Sequence, residues 1–397
     1  MFVLLMLAAA CNVYAAQDQA FLAILAETKL TKMVGMPAMP DMPEASDGAQ
    51  TPADMRVLVG FKLPGGLKLP GGVKLPGGSK PEAAPNPMMP GAPQRILNVR
   101  LWSPGIAPAN ATASIAPPAG LKQGDKLNLD LYRPKADEGT TGGTGAGEFD
   151  PDSMPEFTIK IYWGSSETVK PGQPKIFKWG GLTADQKEAM KKRAKEARMG
   201  QSYFYKPDWT TGYWPTPEQP GKISKDASLV GNYTLTTNYT GNVSIDAPDN
   251  VDFLAPIDMS SPDLGNKIDF TKYIPFVWKE IPNALGLYAS IMGMEGKSTM
   301  IMWSSSEVFK EGLMGDMGFL QMAEVREFVK QTVFMKGDQT KVNVPEGIFA
   351  NADMAMFNMV GYGPGAALDK AQPLPRIQTK TTLSIMLGGK MMAGMGE

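Results

Sequence analysis

Apolar and polar residues alternate along several short stretches of this chain. The clearest are RILNVRLW (95–102), KLNLDLY (126–132), FTIKIYW (157–163) and RIQTKTTLSIML (376–387). Alternation with a period of two is typical of half-buried antiparallel strands, in which successive side chains point to opposite faces of a sheet. The pattern therefore predicts a mainly β protein.

The stretch from 277 to 303 predicts three strands in close succession. Val277 and Trp278 end the first strand, and LGLYASIM follows a polar turn that contains proline. A second turn at 293–297 leads into TMIMW. Three apolar strands joined by short turns favour the core of a β-sandwich.

Three segments predict helices instead. In QAFLAILAETKLTKM (19–33), apolar residues share one face of a short amphipathic helix. At 183–199, Thr183 and Gln186 form a capping box and Gly200 ends the helix. FLQMAEVREFVKQ (319–331) predicts the third helix.

These elements divide the chain into five parts. We expect a signal peptide at 1–15, and then at 16–94 a short helix and a disordered linker rich in Pro, Gly and Met, with three KLPGG repeats. A β-rich domain with the helix at 183–199 follows at 95–250, a second β domain at 251–388, and a flexible tail at 389–397. The predicted fold class is mainly β, with two antiparallel β-sandwich-like domains and one or two inserted helices.

The second domain resembles the fibronectin type III and related immunoglobulin-like sandwiches. In FVWKEIPNALGLYASIM, Trp278, Pro282, Ala284 and Tyr288 stand where those folds place an aromatic strand end and the turn into the next strand. VNVPEGIFANADMAMFNMVGYG is similar to their E and F strands, although Ala355 stands where a tyrosine is usual. The resemblance covers about residues 250–388 and implies a binding or spacer module, since such folds carry no inherent chemistry.

Composition narrows the chemistry further. The chain has no histidine and one cysteine, Cys11, which excludes Ser-His-Asp and Cys-His catalysis and histidine-zinc sites. The net charge of −1 argues against a nucleic-acid partner, because such partners are met by excess positive charge. We therefore expect a protein that is not an enzyme.

The first residues predict export. MFVLLMLAAA is too short to span a bilayer and reads as a signal peptide cleaved before Ala16. Alternatively, Ala8-Ala9-Ala10-Cys11 resembles a lipobox, with Cys11 carrying a lipid anchor. Either reading places the protein in the periplasm, at the outer membrane or outside the cell, with membrane attachment only through that anchor.

An aromatic segment at 203–214 is the strongest binding candidate. Flat rings on a rigid loop stack on sugar rings, so this segment predicts a carbohydrate-binding or carbohydrate-active protein as the alternative function. The other interpretation is that the rings pack over a sandwich edge. The candidate residues are Tyr203, Tyr205, Trp209, Tyr213 and Trp214.

Acidic residues at the domain boundary form a second candidate. Asp246, Asp249 and Asp252 supply hard oxygen ligands of the kind that Ca²⁺ prefers, and calcium would stiffen the junction. Their spacing does not match an EF-hand loop, and an acidic solvated linker is the default interpretation. We expect no other cofactor.

Two similar motifs and the methionines offer further candidate chemistry. IYWGSSE (161–167) and IMWSSSE (301–307) offer hydroxyls and carboxylates without an evident base. They match at five positions, which two related sandwiches or chance would each explain. The thioether sulfurs of the 28 methionines are soft ligands of the kind that binds copper. Packing and low-complexity usage better explain why the methionines are distributed along the whole chain. The predicted role is structural or binding, with a protein or polysaccharide of the cell envelope as partner.

Overall fold

The computed structural model describes residues 20–35, 91–133, 157–178, 209–310, 318–367 and 376–388, together with helical positions Asp185 and Glu188. Several predictions fall outside these residues. They are the signal peptide with Cys11, the KLPGG repeats, most of the helix at 183–199 and the tail at 389–397.

The described residues form nineteen strands and one helix with both ends defined, which confirms the predicted mainly β fold. The helix α1 spans Met322–Lys330, and a 3-10 turn spans Ala119–Leu121. The strands are β1 (Phe21–Met33), β2 (Gln94–Ser103), β3 (Ala113–Ala116), β4 (Leu127–Asn128), β5 (Asp130–Tyr132), β6 (Thr158–Trp163), β7 (Lys175–Lys178), β8 (Thr210–Trp214), β9 (Gly231–Thr237), β10 (Val243–Ala247), β11 (Met259–Ser261), β12 (Ile274–Trp278), β13 (Gly286–Glu295), β14 (Thr299–Ser304), β15 (Met335–Lys336), β16 (Lys341–Val344), β17 (Met354–Tyr362), β18 (Ala366–Ala367) and β19 (Arg376–Gly388).

One large sheet runs through the molecule. Its 12 strands follow the order β5-β8-β2-β1-β19-β17-β13-β14-β6-β7, with β15 beside β13 and β18 beside β19. Two of its pairs, β1 with β19 and β14 with β6, are parallel, and the other pairs are antiparallel. Two small sheets, β10-β9-β3-β4 and β11-β12-β16, complete the fold.

Each small sheet packs on a different part of the same face of the large sheet, here called the inner face. The first core joins the four-stranded sheet to β2, β8 and the first half of β1, through side chains such as Leu97, Trp214 and Tyr233. The second core joins the three-stranded sheet to β13, β14, β17 and β19, through side chains such as Phe276 and Phe357, whose rings stack at 4.1 Å. The protein is therefore two sandwiches that share one sheet.

The change from one core to the other falls close to the predicted domain boundary. Phe253 belongs to the first core and Leu254 to the second. Strand pairing, however, crosses this boundary. The strand β6, predicted as part of the first domain, hydrogen-bonds to β14 of the second.

The segment predicted as a helix at 19–33 is the strand β1, so that prediction is wrong. The strand lies between β2 and β19 near the middle of the large sheet, and all residues from Leu22 to Ala26 are buried. A strand covered on both faces reads as a continuous apolar run without alternation, which periodicity cannot distinguish from a helix. Its pairing with both neighbours overrides the local preference.

The helix predicted at 319–331 is confirmed as α1, and Glu324 accepts a hydrogen bond from the Gln321 backbone N–H at 2.8 Å. It packs on the second face of the large sheet, here called the outer face, where Val325 joins Tyr288, Val360 and Tyr362 in a third cluster. Of the helix predicted at 183–199, positions 185 and 188 are described, and both are helical and exposed. No described helix is long and apolar enough to cross a lipid bilayer.

Candidate functional site

The predicted aromatic segment is only partly surface. Tyr203 and Tyr205 lie outside the described residues. Trp214 is fully buried in the first core, and Trp209 is 5% exposed with its ring centroid 6.2 Å from that of Phe21. Neither tryptophan offers an open ring face on which a sugar could stack.

Tyr213 points to the outer face and is half-buried. It lies opposite Asp130 on β5 and Arg100 on β2. Burial, followed by the negative charge of Asp130, raises the pKa of the Tyr213 phenol. Burial, followed by Glu218, likewise raises the pKa of Asp130. The segment thus contributes one ring to the outer face and two tryptophans to packing.

The three aspartates at the predicted domain boundary do not act together. Asp246 accepts a hydrogen bond from the Asn232 side chain at 2.8 Å, and Asp249 is exposed. Asp252 accepts three hydrogen bonds, from the Ser228 hydroxyl at 2.6 Å and from the backbone N–H groups of residues 229 and 253 at 2.9 and 2.7 Å. Among the described residues, no three aspartate, glutamate or cysteine side chains form a group able to hold a metal ion. The calcium hypothesis gains no support from this placement.

The two Trp-x-Ser-Ser-Glu motifs end neighbouring parallel strands, β6 and β14. In each motif the first serine accepts a backbone N–H: Ser165 from residue 343 at 3.0 Å, and Ser305 from residue 289 at 2.9 Å. In each, the second serine donates to the carbonyl two residues further on, at 2.7 Å in both Ser166 and Ser306. The motifs therefore share a local geometry as well as a sequence.

The carboxylate of the second motif closes the two loops together. Glu307 accepts the Ser165 backbone N–H at 2.9 Å and pairs with Lys170 at 2.5 Å. The Trp303 indole donates to the Gly164 carbonyl at 3.1 Å. Because these hydroxyls and this carboxylate are engaged in holding loops, the geometry favours a structural role over a nucleophilic one.

Buried charge lies on the outer face of β1 and β19. Glu27 and Lys380 are direct cross-strand neighbours, with N–O distance 3.6 Å and side chains 13% and 5% exposed. Thr382 donates to Glu27 at 2.5 Å, and the Lys380 ammonium lies 4.4 Å from the Phe319 ring centroid. This polar group lies in the middle of the large sheet, beside the region covered by α1.

Methionines dominate the outer face beyond that region. A first row runs in register across five neighbouring strands, and its members are Met33, Met386, Met356, Met292 and Met302. A second row, one step further along the strands, consists of Met354, Met294 and Met300. We call these eight residues the methionine rows. Met294 is buried, and the other seven are half-buried.

The inner face of the same strands has a different composition. Directly beside the first row, the inner positions include Ile291, Ile385, Phe357 and Trp303, all at most 1% exposed. The second core thus uses mainly aliphatic and aromatic residues, whereas the outer face of these strands uses thioethers.

The spacing of the methionines in the sequence indicates these rows, whereas their number alone does not. Met-x-Met occurs at 292–294, 300–302 and 354–356, in three segments that alternate as strands. Such spacing places both methionines of each pair on one face of a strand. The order and register of the strands, which align the pairs into rows, come only from the fold.

Comparisons with known proteins identify no relative: no family model, no curated protein and no solved structure matches this chain. The resemblance of residues 250–388 to fibronectin type III domains therefore stays a prediction.

Proposed function

We propose that this protein is exported and acts by binding rather than by catalysis, with the methionine rows as its binding surface. The single observation that carries this proposal is the alignment of eight methionines on one face of the large sheet. Methionine is apolar, flexible and polarizable, and it is over-used at binding surfaces for that reason. The apolar N-terminal residues support export.

A catalytic role has less support than a binding role. The serines of the paired motifs are hydrogen-bonded within their loops, and the three aspartates are separated from one another. The carbohydrate alternative has less support than the methionine surface, because Trp209 and Trp214 are both buried. A protein or polysaccharide partner in the cell envelope stays a prediction from the sequence.

Oxidation of the methionines tests the binding surface directly. Hydrogen peroxide converts accessible thioethers to sulfoxides, which peptide mass spectrometry counts residue by residue. We expect Met292, Met302 and Met356 to oxidise several-fold more slowly when the protein is mixed with the exported fraction of its source cells. A bound ligand of any kind would shield these sulfurs.

Met322 on α1 provides the matched control, because it is also half-buried but lies outside the methionine rows. Its rate should not change. Equal slowing at all four positions would show only that the fraction consumes peroxide, and unchanged rates in the methionine rows would refute the proposal. Mass measurement of the mature N-terminus tests export separately, since cleavage before Ala16 and acylation of Cys11 give different masses.

A further inference from the structure

We infer that the methionine rows form a binding site for a soft monovalent metal ion, Cu(I) or its analogue Ag(I). The inference rests on the proposed binding role of this surface and names the class of its ligand. Thioether sulfur is a soft ligand that selects Cu(I) over hard cations such as Ca²⁺ and Mg²⁺.

The register of the strands brings the sulfurs within reach of one ion. Directly opposed residues on neighbouring strands have Cβ atoms roughly 4.5–5.5 Å apart. In the first row, Met292 is directly opposed both to Met356 on one side and to Met302 on the other. Three methionines with Met292 at the centre are therefore neighbours on three consecutive strands.

Side-chain length and flexibility make convergence feasible. A metal–sulfur bond of about 2.3 Å, as in zinc thiolates, sets two ligating sulfurs about 4 Å apart. This is slightly less than the strand spacing of about 4.8 Å. Met356 and Met302, however, flank Met292 on strands about 9.6 Å apart, so each of these two side chains must lean about 3 Å towards Met292. The three rotatable bonds of methionine allow this without moving the backbone. The second row, in which the buried Met294 is opposed to both Met354 and Met300, borders this set of three and is not counted among its ligands.

The choice of residue separates metal binding from simple apolar packing. On β13, β14, β17 and β19 the inner face carries mainly Ile, Leu, Phe and Trp, with small residues at Gly293 and Ala355 and one methionine, Met359. An outer surface that needed only apolar area could use the same residues. Between Met33 and Ile161 the first row contains no charged side chain that would repel or compete for a monovalent cation.

The test uses the full-length protein with ¹³C-labelled methionine methyl groups. Ag(I) is titrated in chloride-free buffer, and Cu(I) is titrated without oxygen against a chromogenic chelator. We expect the methyl resonances of Met292, Met302 and Met356 to shift at stoichiometric Ag(I), while that of Met322 stays in place. Binding at Cys11, or at methionines elsewhere, would leave the resonances of the methionine rows unshifted.

A triple variant, Met292→Leu/Met302→Leu/Met356→Leu, keeps volume and apolar surface but removes the sulfurs. It should bind Cu(I) more than about tenfold more weakly, a factor that corresponds to about 1.4 kcal/mol. The matched control Met322→Leu should bind as the wild type does. If the triple variant fails to fold, the residue-specific shifts in the wild type still decide the question.

The outcomes also separate this inference from the proposed function. Unshifted methyls in the methionine rows at excess Ag(I), or undiminished Cu(I) affinity in the folded triple variant, would overturn the metal site. If the peroxide experiment nevertheless shows protection of the same methionines, the surface binds a different ligand, such as an apolar segment of a protein. If protection is absent as well, the binding role itself fails.

Discussion

Glu27 and Lys380 carry opposite charges at the middle of the large sheet, and both are nearly buried. Burying two charges costs several kcal/mol of hydration for each, so such a pair adds little net stability. Once the pair is in place, however, removing one partner leaves a charge in a site of low dielectric. The surface pair of Lys279 and Asp258 differs, because its side chains are 76% and 52% exposed. Removing one of these partners leaves the other charge in water.

We predict that Glu27→Gln lowers the free energy of unfolding by about 3 kcal/mol. The control Asp258→Asn should cost less than about 1 kcal/mol, because exposed ion pairs are screened by water and salt. Urea denaturation at neutral pH measures both values. Equal effects of the two substitutions would show that the burial of Glu27 does not increase its contribution to the free energy of unfolding.

Tyr288 provides a pH-dependent probe on the outer face. Burial raises the pKa of its phenol to about 12, and a hydrogen bond with Ser304 opposes this slightly. Since the folded-state pKa lies above the unfolded value of about 10, the stabilisation is complete below pH 10 and is lost as the pH rises through 12.

We therefore expect the free energy of unfolding to fall by about 3 kcal/mol between pH 10 and 12 through this residue, at 1.36 kcal/mol for each pKa unit. Tyr288→Phe should cost about 1 kcal/mol at pH 7, from the lost hydrogen bond. The variant should also show a smaller fall in the free energy of unfolding between pH 10 and 12 than the wild type does. Denaturation curves of the two proteins that run parallel from pH 7 to 12 would contradict this assignment.

At the scale of elements, the position of α1 depends on a glycine. Gly286 begins β13, and a Cβ atom there would lie 2.7 Å from Val329 Cγ2 and 3.0 Å from Val325 Cγ1. Both valines belong to α1, and they pack with the aromatic side chains of the third cluster. The absence of a side chain at 286 lets the helix approach the sheet closely.

Gly286→Ala should displace α1 and lower the free energy of unfolding by about 1–3 kcal/mol, the usual cost of overpacking. Gly91→Ala is the matched control, because its Cβ would meet no atom within 4 Å. Thermal denaturation of both variants provides the comparison. Indistinguishable midpoints would show that the helix adjusts without cost.

Sequence patterns predicted most of the individual elements and missed those that depend on partners. Alternation found β2, β6 and β19, and the sequence of 319–331 predicted the helix α1, because these signals are local. The strand β1 was misassigned because its two covered faces remove the alternation. The methionines were visible in the Met-x-Met pairs, but their alignment into rows depends on pairings such as Met356 with Met386, which no local pattern encodes.

At the scale of the whole molecule, two cores share a single sheet. One core includes Phe253 and the other Leu254, and both cores lie on the inner face of the large sheet. The sharing could not be predicted, because it rests on two parallel pairs, β1 with β19 and β14 with β6, between segments far apart in the chain.

The segment 251–388 should therefore not fold by itself. Without the rest of the chain, β19 loses β1, β14 loses β6, and the second core loses Leu30 and Val34. We expect the isolated segment to lack a cooperative thermal transition by circular dichroism, whereas the full-length protein shows one. A sharp transition in the fragment would establish an autonomous domain.

The pairing of β1 with β19 also sets the timing of folding. Glu27 and Thr382, which hydrogen-bond in the finished sheet, are 355 residues apart. A ribosome adds roughly 5–20 residues each second, so β1 waits tens of seconds for its partner to be synthesised. During that interval β1 lacks its partner on one side, and the middle of the sheet stays open. The fold thus delays its own completion until the chain is almost entirely made.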